Sequence, residues 1–370
     1  MFWYIVICVL MLYPFCMVQA GRVSGKNTNR VALLSACMIL CIFMAIREKT
    51  VGVDTKFYCY VFNQFSKIPW NRIFTAKTYA TEAATWTFDF EPGYRLYNKI
   101  LSCFSDKEQF ITIGNSVVIF ILLYRLIVKN SPNYLLSVWL YITLGVYQTE
   151  MNVARNAIAI LLVYNAFQFI EQRQWKKYVL CCILASTFHM TAILFLPVYW
   201  IIHKLELSVS KCGKYIVVCV IIGAMIPVIR PYLIKILPYS YQKYIIGGRR
   251  EIQSILIGIL NAGIFGLSYL LNDTNNRKNI WKNEKIGTTM LFLNLCCFAF
   301  TVGFGYASRL AALFGPYLII TISQIVHEIK DIKKRNMATA FIVVVSGIIY
   351  IARLFVNNIG GTMPYRFFWQ

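Results

Sequence analysis

Apolar runs of about 17–25 residues recur along the whole chain, and each is long enough to cross the hydrocarbon core of a bilayer as an α-helix. The composition agrees, because 58% of the residues are hydrophobic and only 14% are charged. A soluble globular domain carries about 25% charged residues. The sequence therefore predicts an all-α, polytopic integral membrane protein in which residues 1–370 form a single membrane domain.

The apolar runs predict about eleven or twelve membrane segments. The first, residues 2–20, has no basic residues before it, and we interpret it as a retained helix rather than a cleaved signal peptide. The others are placed approximately at 31–46, 110–128, 133–149, 152–170, 177–188, 190–202, 215–236, 252–271, 286–302, 308–326 and 337–356.

Short basic loops between these segments predict the orientation of the chain. Four basic clusters are assigned to the cytoplasm: Arg22/Lys26/Arg30, Arg173/Lys176/Lys177, Arg277/Lys278/Lys282/Lys285 and Lys330/Lys333/Lys334/Arg335. This bias accounts for the formal net charge of +22 without a nucleic-acid partner. The resulting topology places the long loop 47–109 outside the cytoplasm.

The run 177–202 conflicts with this orientation if it forms one helix, because the basic loop after it, with Lys204, Lys211 and Lys214, also favours the cytoplasm. A hairpin that turns near His189 removes the conflict. Each arm would be about 18 Å long, too short to span the ~30 Å core. Such broken segments occur where protein or a water-filled cavity surrounds the turn. The sequence favours this hairpin over the alternative, one long tilted helix with His189 buried in it.

The loop 47–109 is predicted to contain two short amphipathic helices that lie on the outer membrane surface. Asp54 precedes a segment with apolar residues at helical spacing, as an N-cap residue does. Glu91 and Pro92 open the second helix, because proline suits the first helical turn and a carboxylate suits its positive end. Each carboxylate thus has a structural interpretation beside a possible acid–base role.

The cysteines give no indication of a metal site. Twelve are present, most of them inside apolar runs, and no CxxC pair or zinc-like spacing occurs. Cys59 and Cys103 share the long loop, and the sequence leaves open whether they form a disulfide. We expect no metal and no other cofactor.

Five arginines on the predicted outer side form the most specific candidate site. They are Arg155, Arg249, Arg250, Arg309 and Arg366. For any one of these arginines, snorkelling to lipid headgroups explains the position as well as ligand binding does. Five on the side where basic residues are scarce favour a shared anionic ligand, and arginine forks match phosphate oxygens.

Three further residues are candidates for proton transfer: His189, Glu91 and Asp54. An ionisable side chain at membrane depth is costly, which favours a functional His189 over a histidine satisfied within the bundle. Aromatic residues are candidates for stacking on sugar faces, although anchoring at the membrane interface is the more general interpretation. They are Trp86, Tyr94, Tyr147 and Tyr306.

The sequence lacks several motifs of nucleotide-dependent and hydrolytic enzymes: it has no DxD pair, no GxxxxGK[ST] loop, no GxSxG and no HExxH. The predicted cytoplasmic loops are also too short to bind a nucleotide sugar or ATP. An activated substrate would therefore be lipid-linked and used on the outer side, where the polar candidates lie.

Six motifs in matching order give the chain a resemblance to a known family. They are GVDTKFY (52–58), FEPGYRLY (90–97), NVARNAIA (152–159), STFHMTA (186–192), GYASRLAALF (305–314) and PYRFF (364–368). The set resembles the pattern of EpsG-type bacterial exopolysaccharide proteins, relatives of the Wzy O-antigen and capsule polymerases. The resemblance covers nearly the whole chain and implies a GT-C-like, metal-independent glycosyltransferase of the bacterial cytoplasmic membrane.

The resemblance also implies the reaction, in which undecaprenyl-diphosphate-linked repeat units are joined on the outer face of the membrane. The expected partners are the lipid-linked donor and acceptor glycans, membrane lipid, and a chain-length regulator and flippase of the same pathway. Arg155 and Arg309 are the first choice for holding the leaving diphosphate, because fixed guanidinium groups stabilise developing charge without a metal.

Three other activities are weighed against polymerisation. A glycan ligase would share the arginines, so the sequence does not separate the two. A lipid-linked oligosaccharide flippase should show two similar halves, which this chain lacks. A membrane O-acyltransferase needs a route for a cytoplasmic acyl donor, whereas the polar candidates cluster on the outer side.

Overall fold

The computed structural model describes residues 2–19, 27–79, 87–88, 90–204, 209–236, 261–264, 266, 285–301, 303 and 307–370. Within these residues the regular structure is almost entirely helical. One antiparallel pair of two-residue strands, β1 (Thr78–Tyr79) and β2 (Thr87–Phe88), is the exception. The all-α prediction is therefore confirmed.

Five helical segments of the described residues are long and apolar enough to cross a bilayer, which makes the chain a multi-pass membrane protein. They are Thr28–Ala45, Gln109–Asn130, Lys211–Tyr232, Ala307–His327 and Ile332–Leu354. Shorter apolar helical segments accompany them at Trp3–Met17, Tyr134–Thr143, Met190–Lys204 and Lys285–Phe300. The predicted segment 252–271 lies largely outside the described residues.

The chain divides into two compact units. The first comprises Met1–Tyr199 and Thr339–Gln370, and the second comprises Trp200–Ala338. The α-helices are α1 (Phe2–Gln19), α2 (Thr28–Ala45), α3 (Thr55–Lys67), α4 (Pro92–Ser102), α5 (Gln109–Asn130), α6 (Tyr134–Thr143), α7 (Val146–Asn152), α8 (Ala154–Ala166), α9 (Gln168–Glu171), α10 (Trp175–Ser186), α11 (Val198–Lys204), α12 (Val209–Ile236), α13 (Lys285–Phe300), α14 (Ala307–Phe314), α15 (Leu318–His327) and α16 (Ile332–Asn357).

The run 177–202 forms a broken hairpin. Helix α10 ends at Ser186, the backbone is extended at His189, and a 3-10 helix follows at Met190–Phe195. The second arm returns along the first, since the Tyr178 hydroxyl donates to the Phe195 carbonyl at 2.8 Å. In a continuous helix these two residues would lie about 26 Å apart. The prediction of a hairpin is confirmed, and the single tilted helix is excluded.

The predicted segment 133–149 is broken in the structure. Helix α6 ends at Thr143, and Gly145 adopts a left-handed backbone conformation with φ of 78° before α7 begins. A second break at Val153 separates α7 from α8. The Leu144 carbonyl, left without a helical partner, accepts a hydrogen bond from Arg353 of α16 at 3.0 Å. The apolar pattern extends across the break at Gly145, which is why the sequence did not reveal it, whereas the break at Val153 lies at the predicted boundary between 133–149 and 152–170.

Helices α3 and α4 occupy the loop 47–109, and α3 begins directly after Asp54, whose side chain makes no capping hydrogen bond. Their aromatic residues pack into one buried cluster, in which Phe90 contacts Phe65 and Tyr94 at ring-centroid distances of 6.4 and 5.0 Å. Cys59 and Cys103 are separate free thiols, the first buried and the second exposed. The loop is thus a folded layer with its own core.

The C-terminal residues 360–368 run antiparallel to residues 46–53 and form an irregular ribbon with them. Backbone hydrogen bonds join Phe368 N to Ile46 O at 3.0 Å and Glu48 N to Arg366 O at 2.9 Å. Two more join Gly52 N to Gly361 O at 3.0 Å and Val53 N to Gly360 O at 3.2 Å. The ribbon holds the start of the long loop against the end of the chain.

Arg47 lies within this ribbon and is completely buried. Its guanidinium group donates to the backbone carbonyls of Met44, of Val51 at 3.3 Å and of Met151 at 2.9 Å. One side chain therefore connects the end of α2, the start of the loop and α7. A buried polar group of this kind is tolerated because its donors are satisfied.

The ribbon depends on Gly360, and we expect Gly360→Ala to destabilise the protein. Its φ of 65° is left-handed, which costs a side chain about 1–2 kcal/mol. A Cβ atom there would also lie 2.9 Å from the Gln148 carbonyl oxygen. The thermal unfolding midpoint of the purified protein in detergent measures the effect. Gly213→Ala is the control, because a Cβ atom added there in α12 would meet nothing within 4 Å beyond the adjoining backbone of its own helix. Equal midpoints for both variants would contradict the prediction.

Candidate functional site

The structure brings together three residues that the sequence marked separately: Glu91, Arg155 and His189. One carboxylate oxygen of Glu91 forms an ion pair with the Arg155 guanidinium group. The other lies 3.3 Å from Nδ1 of His189 and accepts a hydrogen bond from the Met190 backbone N–H at 3.0 Å. Glu91 therefore joins α4, α8 and the tip of the hairpin.

Each of these residues stands at the end or the break of an element. Glu91 has extended backbone before Pro92 starts α4, and Arg155 lies in the first turn of α8 after the break at Val153. His189 has extended backbone at the hairpin tip. Such positions leave backbone donors and side chains unused by the helices, and these are then available for a site.

Helix α4 begins directly against the hairpin tip. The Tyr94 N–H donates to the Thr187 carbonyl at 3.1 Å. Gly93 allows this approach, because a Cβ atom there would lie only 2.9 Å from the same carbonyl oxygen. The close packing explains why a carboxylate at the start of α4 reaches a histidine 98 residues later in the chain.

Arg155 is held by aromatic rings as well as by Glu91. Its guanidinium carbon lies 4.7 Å from the centroid of the Phe90 ring and 5.9 Å from that of Tyr94. The residue is 9% exposed, and both rings are buried. Cation–π contacts of this kind strengthen when the charge is desolvated, so the arginine is fixed in place and not a mobile surface charge.

The surroundings of Glu91 keep its carboxyl group ionised. Burial raises the pKa of Glu91, but the contact with His189, the charge of Arg155 and the Met190 N–H together bring the pKa below its ordinary value. A carboxylate in this state orients the imidazole by attracting a proton on Nδ1.

His189 keeps part of its ring accessible, with 26% of the side chain exposed. Its Nε2 atom makes no hydrogen bond to the part of the chain that the structure describes. With the proton on Nδ1, Nε2 carries a lone pair and can accept a proton from a bound hydroxyl group. The pair of Glu91 and His189 thus has the arrangement of a general base with its orienting carboxylate.

Beside this cluster, a hydrogen bond also joins helix α8 to the hairpin tip. The Thr191 hydroxyl group donates to Oδ1 of Asn156 at 2.8 Å. Sequence reasoning did not single out either residue, although Asn156 follows Arg155 and Thr191 lies two residues after His189. Their positions inside the motifs NVARNAIA and STFHMTA were the available signal.

The remaining candidate residues do not join the cluster within the first unit. The Asp54 backbone N–H donates to Asn152 at the end of α7 at 2.9 Å, and the exposed Arg366 side chain lies in the C-terminal ribbon. Arg309 is exposed on α14 of the second unit. The other predicted site residues lie outside the described residues: Arg249, Arg250, Trp86 and Tyr306.

Two aromatic candidates for sugar stacking are completely buried. Tyr94 has no exposed surface, and its hydroxyl group accepts a hydrogen bond from Asn115 at 3.1 Å. Tyr147 is equally buried and donates to the Leu40 carbonyl at 2.9 Å. A sugar ring cannot reach either face in this structure, so their contribution is to the aromatic packing that supports Arg155 and Arg47.

Arg155 has a protein partner in the structure, and its contact with a diphosphate stays a prediction. The sequence favoured a contact with a diphosphate, whereas the structure pairs its charge with Glu91. While that ion pair is intact, the guanidinium group is largely neutralised. Among the described residues, no group of three or more His, Cys, Asp or Glu side chains could hold a metal ion.

Comparison with known proteins gives one match. The sequence model described as the EpsG family matches residues 30–367. No curated protein and no solved structure matches the chain.

The lowered pKa of Glu91 predicts a pH-dependent contribution to stability. This contribution is present above the unfolded pKa of glutamate, about 4.3, and is lost as the pH falls through the lower folded pKa. We expect wild-type protein to unfold at a higher temperature than Glu91→Gln at neutral pH, with a difference that shrinks in acid.

Thermal unfolding in detergent across this pH range measures the difference. Glu108→Gln is the control, because Glu108 pairs with Lys49 at an exposed position, where an ion pair contributes little. A difference between wild type and Glu91→Gln that does not change with pH would contradict the prediction.

Proposed function

Because the chain belongs to the EpsG family, which is associated with exopolysaccharide biosynthesis, we propose that it polymerises undecaprenyl-diphosphate-linked oligosaccharide repeat units. The reaction is a metal-independent glycosyl transfer on the outer face of the bacterial cytoplasmic membrane. The observation that supports it is the cluster of Glu91, Arg155 and His189 at the tip of a broken hairpin. Proton-transfer groups held at such a tip suit a substrate that is tethered to the membrane.

In this proposal His189 is the general base. The attacking sugar hydroxyl group loses its proton to Nε2 as the new glycosidic bond forms. Glu91 stabilises the positive imidazolium ring that results, and Arg155 keeps Glu91 ionised and correctly oriented. The site is partly buried, so its local dielectric constant is low. The attraction between the Glu91 carboxylate and the imidazolium ring is therefore stronger than it would be in water.

The leaving group is the lipid diphosphate, on which negative charge develops as the old glycosidic bond breaks. Arg155 is already paired, so the charge is neutralised by the other outer arginines, with Arg309 first, and Arg249, Arg250 and Arg366 in support. The exposed side chains of Arg309 and Arg366 support this assignment. The donor and acceptor glycans, a chain-length regulator and a flippase are the partners that such a polymerase requires.

Glycan chain length on a gel separates polymerase from its rivals. A strain without the protein should lose long chains and keep single repeat units attached to their normal acceptor. A ligase mutant would accumulate long lipid-linked chains that never reach the acceptor. A flippase mutant would lose all surface glycan and retain lipid-linked units inside. Either of the last two patterns would contradict the proposal.

Within the cluster, we expect Glu91→Gln and His189→Gln to reduce the polymerisation rate by about 10²–10³, as loss of a general base commonly does. Arg155→Lys should also lower the rate, since lysine keeps the charge but loses the planar fork. The measurement is chain extension by purified protein in liposomes that contain lipid-linked repeat units.

His327→Gln is the matched control, because this histidine is exposed at the end of α15. All variants are compared at equal amounts of membrane-inserted protein. A fully active His189→Gln variant would exclude His189 as the base.

Arg309 is tested separately, because it is assigned to the leaving group. We expect Arg309→Lys to leave protein abundance normal and to reduce polymer strongly, by about 10²-fold or more if it contacts the transition-state charge. Snorkelling to lipid headgroups predicts full activity instead, because lysine reaches them as well as arginine does. Arg335→Lys, at the start of α16 in a predicted cytoplasmic cluster, serves as the control for an arginine that contacts no substrate.

A further inference from the structure

We propose that Asn156 is a positioning residue that acts through Thr191 to hold His189 against Glu91. The catalytic meaning of this link rests on the proposed function, whereas the link itself is a property of the first unit. Neither residue is assigned a role by the family match.

His189 lies between two anchors of the hairpin tip. Before it, the Thr187 carbonyl accepts a hydrogen bond from Tyr94 of α4 at 3.1 Å. After it, the Thr191 hydroxyl group donates to Asn156 of α8 at 2.8 Å. The chain is thus attached to α4 just before His189 and to α8 just after it.

The second anchor bears directly on the distance between the imidazole ring and the carboxylate. Asn156 follows Arg155 in α8, and Arg155 holds the other oxygen of Glu91. The same helix turn therefore fixes both Glu91, through Arg155, and the segment after His189, through Asn156. Since the Nδ1–Oε1 distance is already 3.3 Å, an outward movement of the tip by less than 1 Å would remove the contact.

The residues directly after His189 make fewer contacts with other helices than the residues before it. Met190 is 63% exposed, and its backbone N–H is bonded to Glu91 itself. The 3-10 helix that starts there has weaker hydrogen-bond geometry than an α-helix. The His189 backbone also bonds Ala185 and Ala192, at 3.2 and 3.0 Å, but both partners belong to the hairpin itself. After His189, the Thr191 link is therefore the side-chain hydrogen bond that ties the tip to α8.

The first measurement is the rate at which diethyl pyrocarbonate modifies His189. The chain has three histidines, so His203→Gln and His327→Gln leave His189 as the single reactive one. We expect Thr191→Val in this background to raise the rate, because a ring that moves away from Glu91 becomes more exposed to the reagent than the 26% seen here. Thr191→Ser keeps the hydroxyl group and should restore the low rate.

The second measurement is polymerisation, for which Thr191→Val should lower the rate roughly threefold to tenfold, the effect of one neutral hydrogen bond. Thr149→Val is the matched control, because that hydroxyl group makes a local bond at 2.8 Å to the carbonyl of Gly145, the residue before its own helix. Asn156→Leu should have the same effects as Thr191→Val. The double variant should be no worse than either single variant, since both break one link.

Several results would overturn the proposal. They are an unchanged modification rate in Thr191→Val, a Thr191→Ser variant as reactive as Thr191→Val, additive effects in the double variant, or a lower unfolding midpoint as the only effect. Histidine modification needs no glycan substrate, so it decides on the link even if the protein proves not to be a polymerase. Conversely, a confirmed link with no polymerisation by wild-type protein would reject only the proposed function.

Discussion

The ion pair between Glu91 and Arg155 is the interaction on which the first unit depends. Both groups are largely withdrawn from water, with side-chain exposures of 16% and 11%. A buried charge without its partner is strongly destabilising. Loss of Glu91 would therefore leave the Arg155 charge uncompensated beside the Phe90 and Tyr94 rings. The pair connects the aromatic layer of the long loop to the hairpin tip.

The broken helices are possible because the backbone groups at each break are satisfied. In hydrocarbon, an unpaired backbone N–H or C=O is costly, so irregular backbone occurs only where protein or water provides partners. The Leu144 carbonyl is capped by Arg353, the Thr187 carbonyl by Tyr94, and the Met190 N–H by Glu91. The last two partners come from the start of α4, so the same contacts stabilise the break and build the candidate site.

Burial divides four of the arginines into two groups. Arg47 and Arg155 are buried and act on other protein groups, the first on carbonyls and the second on a carboxylate. Arg309 and Arg366 are exposed. Under the proposed function, Arg155 positions the base, whereas Arg309 and Arg366 meet the diphosphate. The sequence could not separate buried from exposed arginines among those predicted on the outer side, because burial depends on packing.

The sequence by itself determined the membrane class, the hairpin near His189 and the candidacy of Glu91, Arg155 and His189. Run length, charge placement and helix signals are local properties and can be recognised along the chain. Only the tertiary structure decided that Glu91 pairs with Arg155, 64 residues away, and that Tyr94 is buried. It also decided that residues 360–368 return to residues 46–53. The partner of a charged side chain depends on which helix faces pack together, and here the rings of α3, α4 and the hairpin tip fix that packing.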